Sequence, residues 1–169
     1  DRIGLYLDRG RQANRSERTR YFELLRERAR RYPLQYLLGE AHFMDFVFEV
    51  NEACLIPRPE TELLVEYVLK EIREIIPSGE ARILDVGTGC GNIALSLARY
   101  LPFSEVWATD ISENILKLAE RNAARLDVHH RVKFVRGSLF ENLPALKFEC
   151  IVSNPPYLSS SDMKALEGE

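Results

Sequence analysis

Asn154-Pro155-Pro156-Tyr157 joins a carboxamide, two rigid imino acids and an aromatic ring, a set suited to gripping a flat amino group. The Asn154 side-chain carbonyl and a nearby backbone carbonyl can both accept hydrogen bonds from one NH2. The prolines restrict φ and bring no N–H donors, so the acceptors keep their aim. Tyr157 can lie against the face of the planar group. The preceding run Phe148-Glu149-Cys150-Ile151-Val152-Ser153 reads as a buried strand, which sets the motif at a strand end. A Pro-Pro turn is also an ordinary way to stop a strand. The motif gains meaning from a second one upstream.

That second motif is a glycine loop. Arg82-Ile83-Leu84-Asp85-Val86 is strand-like, Gly87-Thr88-Gly89-Cys90-Gly91 follows, and Asn92-Ile93-Ala94-Leu95-Ser96-Leu97-Ala98 has helical periodicity. Strand, glycine turn and helix form a nucleotide-binding unit, in which small residues let a ligand approach the backbone. The dinucleotide fingerprint needs a glycine or alanine three residues after its second glycine. Here the glycines alternate, and Asp85 stands two residues before the first. That D-x-G-x-G-x-G arrangement suits S-adenosylmethionine, whose sulfonium and amino-acid end carry no pyrophosphate. Asp85 favours a cation there and would repel a diphosphate. A second strand, Glu105-Val106-Trp107-Ala108-Thr109, ends in Asp110, about 20 residues beyond the loop, where an acid can hold ribose hydroxyls. Cys90 serves the loop as a small side chain and has no assigned nucleophilic role.

These groups need elements to position them. Strands are expected over 82–86, 105–109, 132–135 and 148–153, and helices over 92–99 and 112–126. Their alternation implies a parallel sheet with right-handed crossovers, and ligands in such sheets bind at the carboxyl ends of the strands. Gly87, Asp110 and Asn154 all fall at those ends, so three separated segments converge on one crevice. Upstream, residues 14–31 predict a helix capped at Ser16, with Phe22, Leu25 and Ala29 on one face. His42-Phe43-Met44 and Val47-Phe48-Glu49-Val50 predict a hairpin turning at Asp45-Phe46. Pro59 opens a helix that runs to about Ile76, where Pro77 and Gly79 stop it.

Composition narrows the function classes. The 169 residues carry a formal net charge of −3, with a pI near 5.8, which argues against a broad nucleic-acid footprint. The run Arg26, Arg28, Arg30 and Arg31 reads as a solvated helix face. No apolar stretch approaches the roughly 20 residues a membrane span requires. Cys54, Cys90 and Cys150 are far apart in sequence, show no metal-ligand spacing and read as free thiols of a reducing compartment. His42, His129 and His130 have no support as ligands, so no metal site is expected.

Four stretches together resemble the release factor glutamine methyltransferases of the HemK/PrmC family. They are Gln35-Tyr36-Leu37-Leu38-Gly39, Leu55-Ile56-Pro57-Arg58-Pro59-Glu60-Thr61-Glu62, Asp85 to Gly91, and Ser153 to Tyr157. The asparagine motif is shared with DNA adenine and RNA guanine methyltransferases, whereas the I-P-R-P-E-T-E segment is characteristic of the release-factor enzymes. The resemblance implies an α/β fold, a Rossmann-like class I S-adenosylmethionine-dependent methyltransferase sheet behind an N-terminal helical domain. The expected divisions are 1–38, part of a helical substrate-recognition domain; 39–57, a hairpin linker; and 58–169, a methyltransferase domain without its last three strands. The implied activity methylates the side-chain amide nitrogen of the glutamine in the Gly-Gly-Gln loop of class I peptide chain release factors. Residue by residue, Asp85, Gly87, Thr88, Gly89, Cys90 and Gly91 would cradle the methionine end of S-adenosylmethionine, Asp110 its ribose, and Leu139 its adenine. Asn154, with the Pro155 carbonyl, would hold the substrate amide next to the cofactor, while Pro156 stiffens the turn and Tyr157 packs on the amide. Relatives often carry an acid where Ser138 stands here. The implied location is the cytoplasm, or the mitochondrion in a eukaryote. A DNA adenine or RNA guanine amino methyltransferase and a non-catalytic docking fragment are the competing readings.

Overall fold

The computed structural model describes residue 8 and residues 10–155, so Pro156 and Tyr157 lie outside the described residues. The chain divides into two compact units, residues 1–38 and residues 39–169.

In the first unit, α1 (Arg15–Ala29) begins with a reciprocal cap. The Asn14 side chain accepts from the Glu17 amide at 3.0 Å, and the Glu17 carboxylate accepts from the Asn14 amide at 2.9 Å. The cap is therefore Asn14 and not Ser16, whose hydroxyl instead donates to Asn14 Oδ1 at 2.8 Å. No residue of α1 is buried, Phe22 and Leu25 included. A short helix that periodicity does not reveal, α2 (Leu34–Leu38), comes next.

The second unit opens with a hairpin of β1 (Glu40–Phe43) and β2 (Phe46–Glu49). Phe43 pairs with Phe46, which moves the turn to Met44-Asp45, one residue earlier than the pattern suggests. Met44 takes φ 52° there, and Phe46 is kept in the strand by packing on Tyr100, ring centroids 5.4 Å apart. Next, α3 (Glu60–Ile75) buries Thr61, Val65, Val68, Leu69 and Ile72 along one stripe at helical spacing.

The remaining strands form a four-stranded parallel sheet in the order β5-β4-β3-β6. They are β3 (Arg82–Val86), β4 (Glu105–Asp110), β5 (Val132–Arg136) and β6 (Cys150–Ser153). β3 is central and its last four residues are buried, so its run is almost continuously apolar rather than alternating. β6 starts later than expected because Phe148 turns its ring edge-on to Trp107, at 6.2 Å, while Arg82 N donates to the Glu149 carboxylate at 2.6 Å. Between strands run α4 (Asn92–Tyr100) and α5 (Glu113–Arg125), the latter capped by the Ser112 hydroxyl. Among the described residues no helix is long and apolar enough to cross a membrane.

One buried side chain ties the hairpin to the sheet. Asn122, on α5, accepts from the Glu49 amide at 2.7 Å and donates to the carbonyls of Glu49 at 3.0 Å and Cys90 at 2.9 Å. Three of the four hydrogen bonds its amide can make are thus spent on two backbone segments far apart in sequence. Asn122→Ala strands three backbone groups and is expected to cost about 3 kcal/mol of unfolding free energy. Urea denaturation measures it, and a loss below about 0.5 kcal/mol would show that water replaces all three bonds.

Candidate functional site

The glycine loop is built by backbone conformation. Gly87 takes φ 75° and Gly89 φ 58°, both left-handed, and a Cβ on either would meet nothing within 4 Å. Glycine is demanded there by φ, and the space above the loop stays open. At Gly91, φ 88°, a Cβ would come within 2.9 Å of the Leu95 side chain, so both conformation and packing exclude a larger residue as α4 begins.

Two acids hold the loop. Asp85 is fully buried at the end of β3, and its Oδ2 accepts from the Thr88 hydroxyl at 2.7 Å and the Ala94 amide at 3.2 Å. Its Oδ1 has no hydrogen-bond partner among the described residues. Burial raises the Asp85 pKa from 3.8 to about 6; the Thr88 and Ala94 bonds oppose the shift, and the nearby Asp110 charge adds to it. At the end of β4, Asp110 Oδ2 accepts from the Gly89 amide at 3.2 Å and Oδ1 from the Ser112 amide at 3.0 Å. The Gly87 and Thr88 amides both donate to the Thr109 carbonyl, which sews the loop to β4.

The asparagine segment reaches the same edge. β6 pairs with β3 so that Ser153 lies opposite Val86, and the Ser153 hydroxyl donates to the Val86 carbonyl at 2.7 Å. Neighbouring strands lie about 4.8 Å apart, so Gly87 and Asn154 leave adjacent strand ends side by side. Asn154 Nδ2 donates to the Thr61 hydroxyl at 3.0 Å. On the far side of β4, Leu139 adopts φ 52° after β5, leaves its side chain 63 % exposed, and accepts from the Thr109 hydroxyl at 3.4 Å through its carbonyl. Gly137 permits this bend, since a Cβ there would strike the Glu141 carbonyl at 2.5 Å. Glu141 in turn accepts from the Ser138 amide at 2.9 Å, which brings a carboxylate to this stretch.

Of the residues singled out by sequence, Asp85, Gly87 to Gly91, Asp110, Leu139, Asn154 and Pro155 gather around the carboxyl ends of β3, β4, β5 and β6. Pro156 and Tyr157 fall outside the described residues. The Thr61–Asn154 and Asn122–Glu49 contacts escape a sequence reading, because nothing in local pattern links residues 93 and 73 positions apart. The cysteines also gain a relation invisible in the sequence. Cys54 and Cys90 stand close enough to influence one another, which lowers the Cys54 pKa and raises that of Cys90, while their thiols donate to the Asn51 carbonyl at 3.4 Å and to Asn92 Oδ1 at 3.8 Å. Asp127, His129 and His130 bring ligand atoms within 4.8 Å of one another, but all three are exposed at the amino end of β5, opposite the glycine loop.

The Methyltransferase small domain family matches residues 59–167, and the PrmC N-terminal domain matches residues 1–39. The chain belongs to the Methyltransferase small domain family. The release factor glutamine methyltransferase of Gloeobacter violaceus is 42% identical over 170 residues, covering 100% of this chain and 58% of that protein. Its counterpart from Moorella thermoacetica is 43% identical over 150 residues, 89% of this chain and 52% of that protein. The Geobacter sulfurreducens protein of the same name is 41% identical over 169 residues, 100% and 57% of the two chains. The chain therefore spans little more than half the length of the curated relatives it matches. Among solved structures, a ribosomal protein methylase from Lactobacillus delbrueckii subsp. bulgaricus is 27% identical, with a TM-score of 0.50 over 63% of this chain and 51% of that one. The Rossmann-like α/β methyltransferase fold that the resemblance implies is the fold present, built on the parallel sheet that the strand pattern predicts.

The residues fit S-adenosylmethionine. An orphaned buried carboxylate oxygen at Asp85 suits a cationic ligand, Asp110 offers acceptors to hydroxyls, and the space above Gly87 and Gly89 is open.

The Asp85 shift has a signed consequence. Between pH 3.8 and about 6 the folded chain holds more protons than the unfolded one, so stability falls as pH rises through that window. The whole effect is about 3 kcal/mol, complete above the folded pKa and absent below the unfolded one. Asp85→Asn keeps an acceptor for Thr88 and Ala94 and should flatten the profile. Urea unfolding of both proteins between pH 4 and 7 checks this; parallel curves would show that Asp85 does not titrate in that range.

Proposed function

We propose that this chain is the catalytic part of an S-adenosylmethionine-dependent methyltransferase that modifies the side-chain amide nitrogen of a release-factor glutamine, within the Gly-Gly-Gln motif. The observation that carries the reading is the register of β6 on β3, which seats Asn154 beside the glycine loop. Similarity along the chain to proteins named release factor glutamine methyltransferase supports the choice of substrate. Class I peptide chain release factors are thus the proposed partner, and the bacterial cytoplasm the proposed location.

Gly87 to Gly91 would admit the methionine end of the cofactor, Asp110 its ribose and Leu139 its adenine. When bound, S-adenosylmethionine supplies an electrophilic methyl group. The difficulty lies with the acceptor, because an amide nitrogen delocalises its lone pair into the carbonyl. Asp85 and Asp110, the acids of this edge, are already engaged, Asp85 by the Thr88 hydroxyl and the Ala94 amide and Asp110 by the Gly89 and Ser112 amides. The chain's contribution is therefore positioning. Asn154 Oδ1 and the Pro155 carbonyl are acceptors that hold an NH2 by both hydrogens and polarise its N–H bonds, increasing electron density on nitrogen. Orientation of this kind can supply roughly 7–11 kcal/mol of the barrier in favourable cases.

A nucleic-acid amino methyltransferase needs the same receptor for a planar NH2. The net charge of −3 favours the protein substrate.

Incubating the protein with methyl-labelled S-adenosylmethionine and either a release factor or DNA decides between them. Label is expected on the release-factor glutamine; label on DNA alone overturns the assignment. Asn154→Ala should lower turnover at least about 100-fold, the loss seen when one preorganised polar group is removed. Calorimetry should find its cofactor affinity within a few-fold of the parent, and an active variant would remove Asn154 from the mechanism.

A further inference from the structure

The I-P-R-P-E-T-E segment supplies no reacting group to the proposed methyl transfer, yet it touches the asparagine. Thr61, on the first turn of α3, is 7 % exposed and accepts from Asn154 Nδ2 at 3.0 Å. We infer that Thr61 is a positioning residue that holds the Asn154 carboxamide in place for the substrate.

A carboxamide turned over about its Cβ–Cγ bond exchanges an acceptor for a donor. With Nδ2 on Thr61, the oxygen occupies the opposite end of the amide, the orientation an NH2 substrate requires. Turned over, Asn154 would set its own NH2 against the substrate's, donor against donor. The Thr61 hydroxyl, which can donate as well as accept, anchors one end of the carboxamide by a part-buried hydrogen bond and limits its rotation.

The hydroxyl is itself held still. Threonine is β-branched and has few side-chain rotamers on a helix. The Thr61 amide donates to the Arg58 carbonyl at 3.0 Å, closing the turn that Pro57 and Pro59 stiffen. The next residue, Glu62, accepts from the Met44 amide at 2.6 Å and pins the same turn to the hairpin. The start of α3 is thus a rigid bracket with one arm on the hairpin and one on Asn154. The inference deepens the proposed function and, in its kinetic form, rests on it.

Two substitutions separate positioning from simple support. Thr61→Val removes the hydroxyl at nearly constant shape, and Thr61→Ser restores it without the methyl. With release factor as substrate, Thr61→Val is expected to lower kcat about tenfold or more, with cofactor Kd within twofold of the parent. Thr61→Ser should recover most of the rate, and Thr61→Val combined with Asn154→Ala should be no slower than Asn154→Ala alone. A second readout needs no substrate: the Asn154 side-chain NH2 resonances of 15N-labelled protein should move in Thr61→Val and return in Thr61→Ser. If the parent methylates no release factor while these resonances respond, the function falls and the positioning contact stands. Unmoved resonances, an undiminished kcat in Thr61→Val, or a Thr61→Ser variant as impaired as Thr61→Val would each overturn the role of Thr61.

Discussion

The parallel pairing of Cys150–Ser153 with Arg82–Val86 is the constraint on which the rest of the site depends. A parallel sheet turns all its carboxyl ends toward one edge, so the loops leaving its strands are delivered to the same place. Register then decides who stands next to whom. Because Ser153 lies opposite Val86, the residues that emerge side by side are Asn154 and Gly87. A slip of one residue would send every side chain of β6 to the other face, burying Ile151, now 54 % exposed, in place of Val152. The Ser153 hydroxyl on the Val86 carbonyl guards against that slip where it matters, at the last pair before the site.

Rigidity at this edge comes from buried polar groups, which the fold tolerates because nearly all are satisfied. Thr109, Asp110, Asn122 and Thr88 each connect two backbone segments that the sheet ladder does not reach. Asp85, like Ser96 and Trp107, keeps one buried polar atom without a partner among the described residues. One Asp85 oxygen organises the loop, while the other is that unpartnered atom, at a cost that appears as the raised Asp85 pKa. An unsatisfied acceptor under an open glycine loop is strain that a bound cation would relieve, so the same desolvation that destabilises the free chain favours its ligand.

The sequence was legible where structure is local. Alternation of apolar runs with glycine turns placed β3 and α4 within one residue, and D-x-G-x-G-x-G was readable because left-handed φ leaves glycine little competition. Misplacements occurred where two residues offer the same chemistry. Asn14 and Ser16 can both cap a helix, and only the reach of Glu17 back to the Asn14 amide selects between them. At the hairpin, Phe46 is drawn into the strand by Tyr100, a residue no turn rule consults. The hydrogen bonds of Asn122 and Thr61 were beyond reach for a simpler reason. They join residues 32, 73 and 93 positions apart, and single polar residues carry no periodicity from which such a pairing could be read.

That distinction bears on how the I-P-R-P-E-T-E segment is understood. As a motif it marks a family and says nothing of cause. In the fold its two prolines and the Arg58–Thr61 turn make a short stiff bracket, and Glu62 and Thr61 are the two ends of its grip. The asparagine needs such a grip because its own backbone offers little: Pro155 comes immediately after it and contributes no donor to hold the turn. A reaction that relies on aiming two acceptors concentrates its demands on whatever keeps the carboxamide from turning. On the proposed reading, a segment that carries the family resemblance is also one that holds the asparagine in its working orientation.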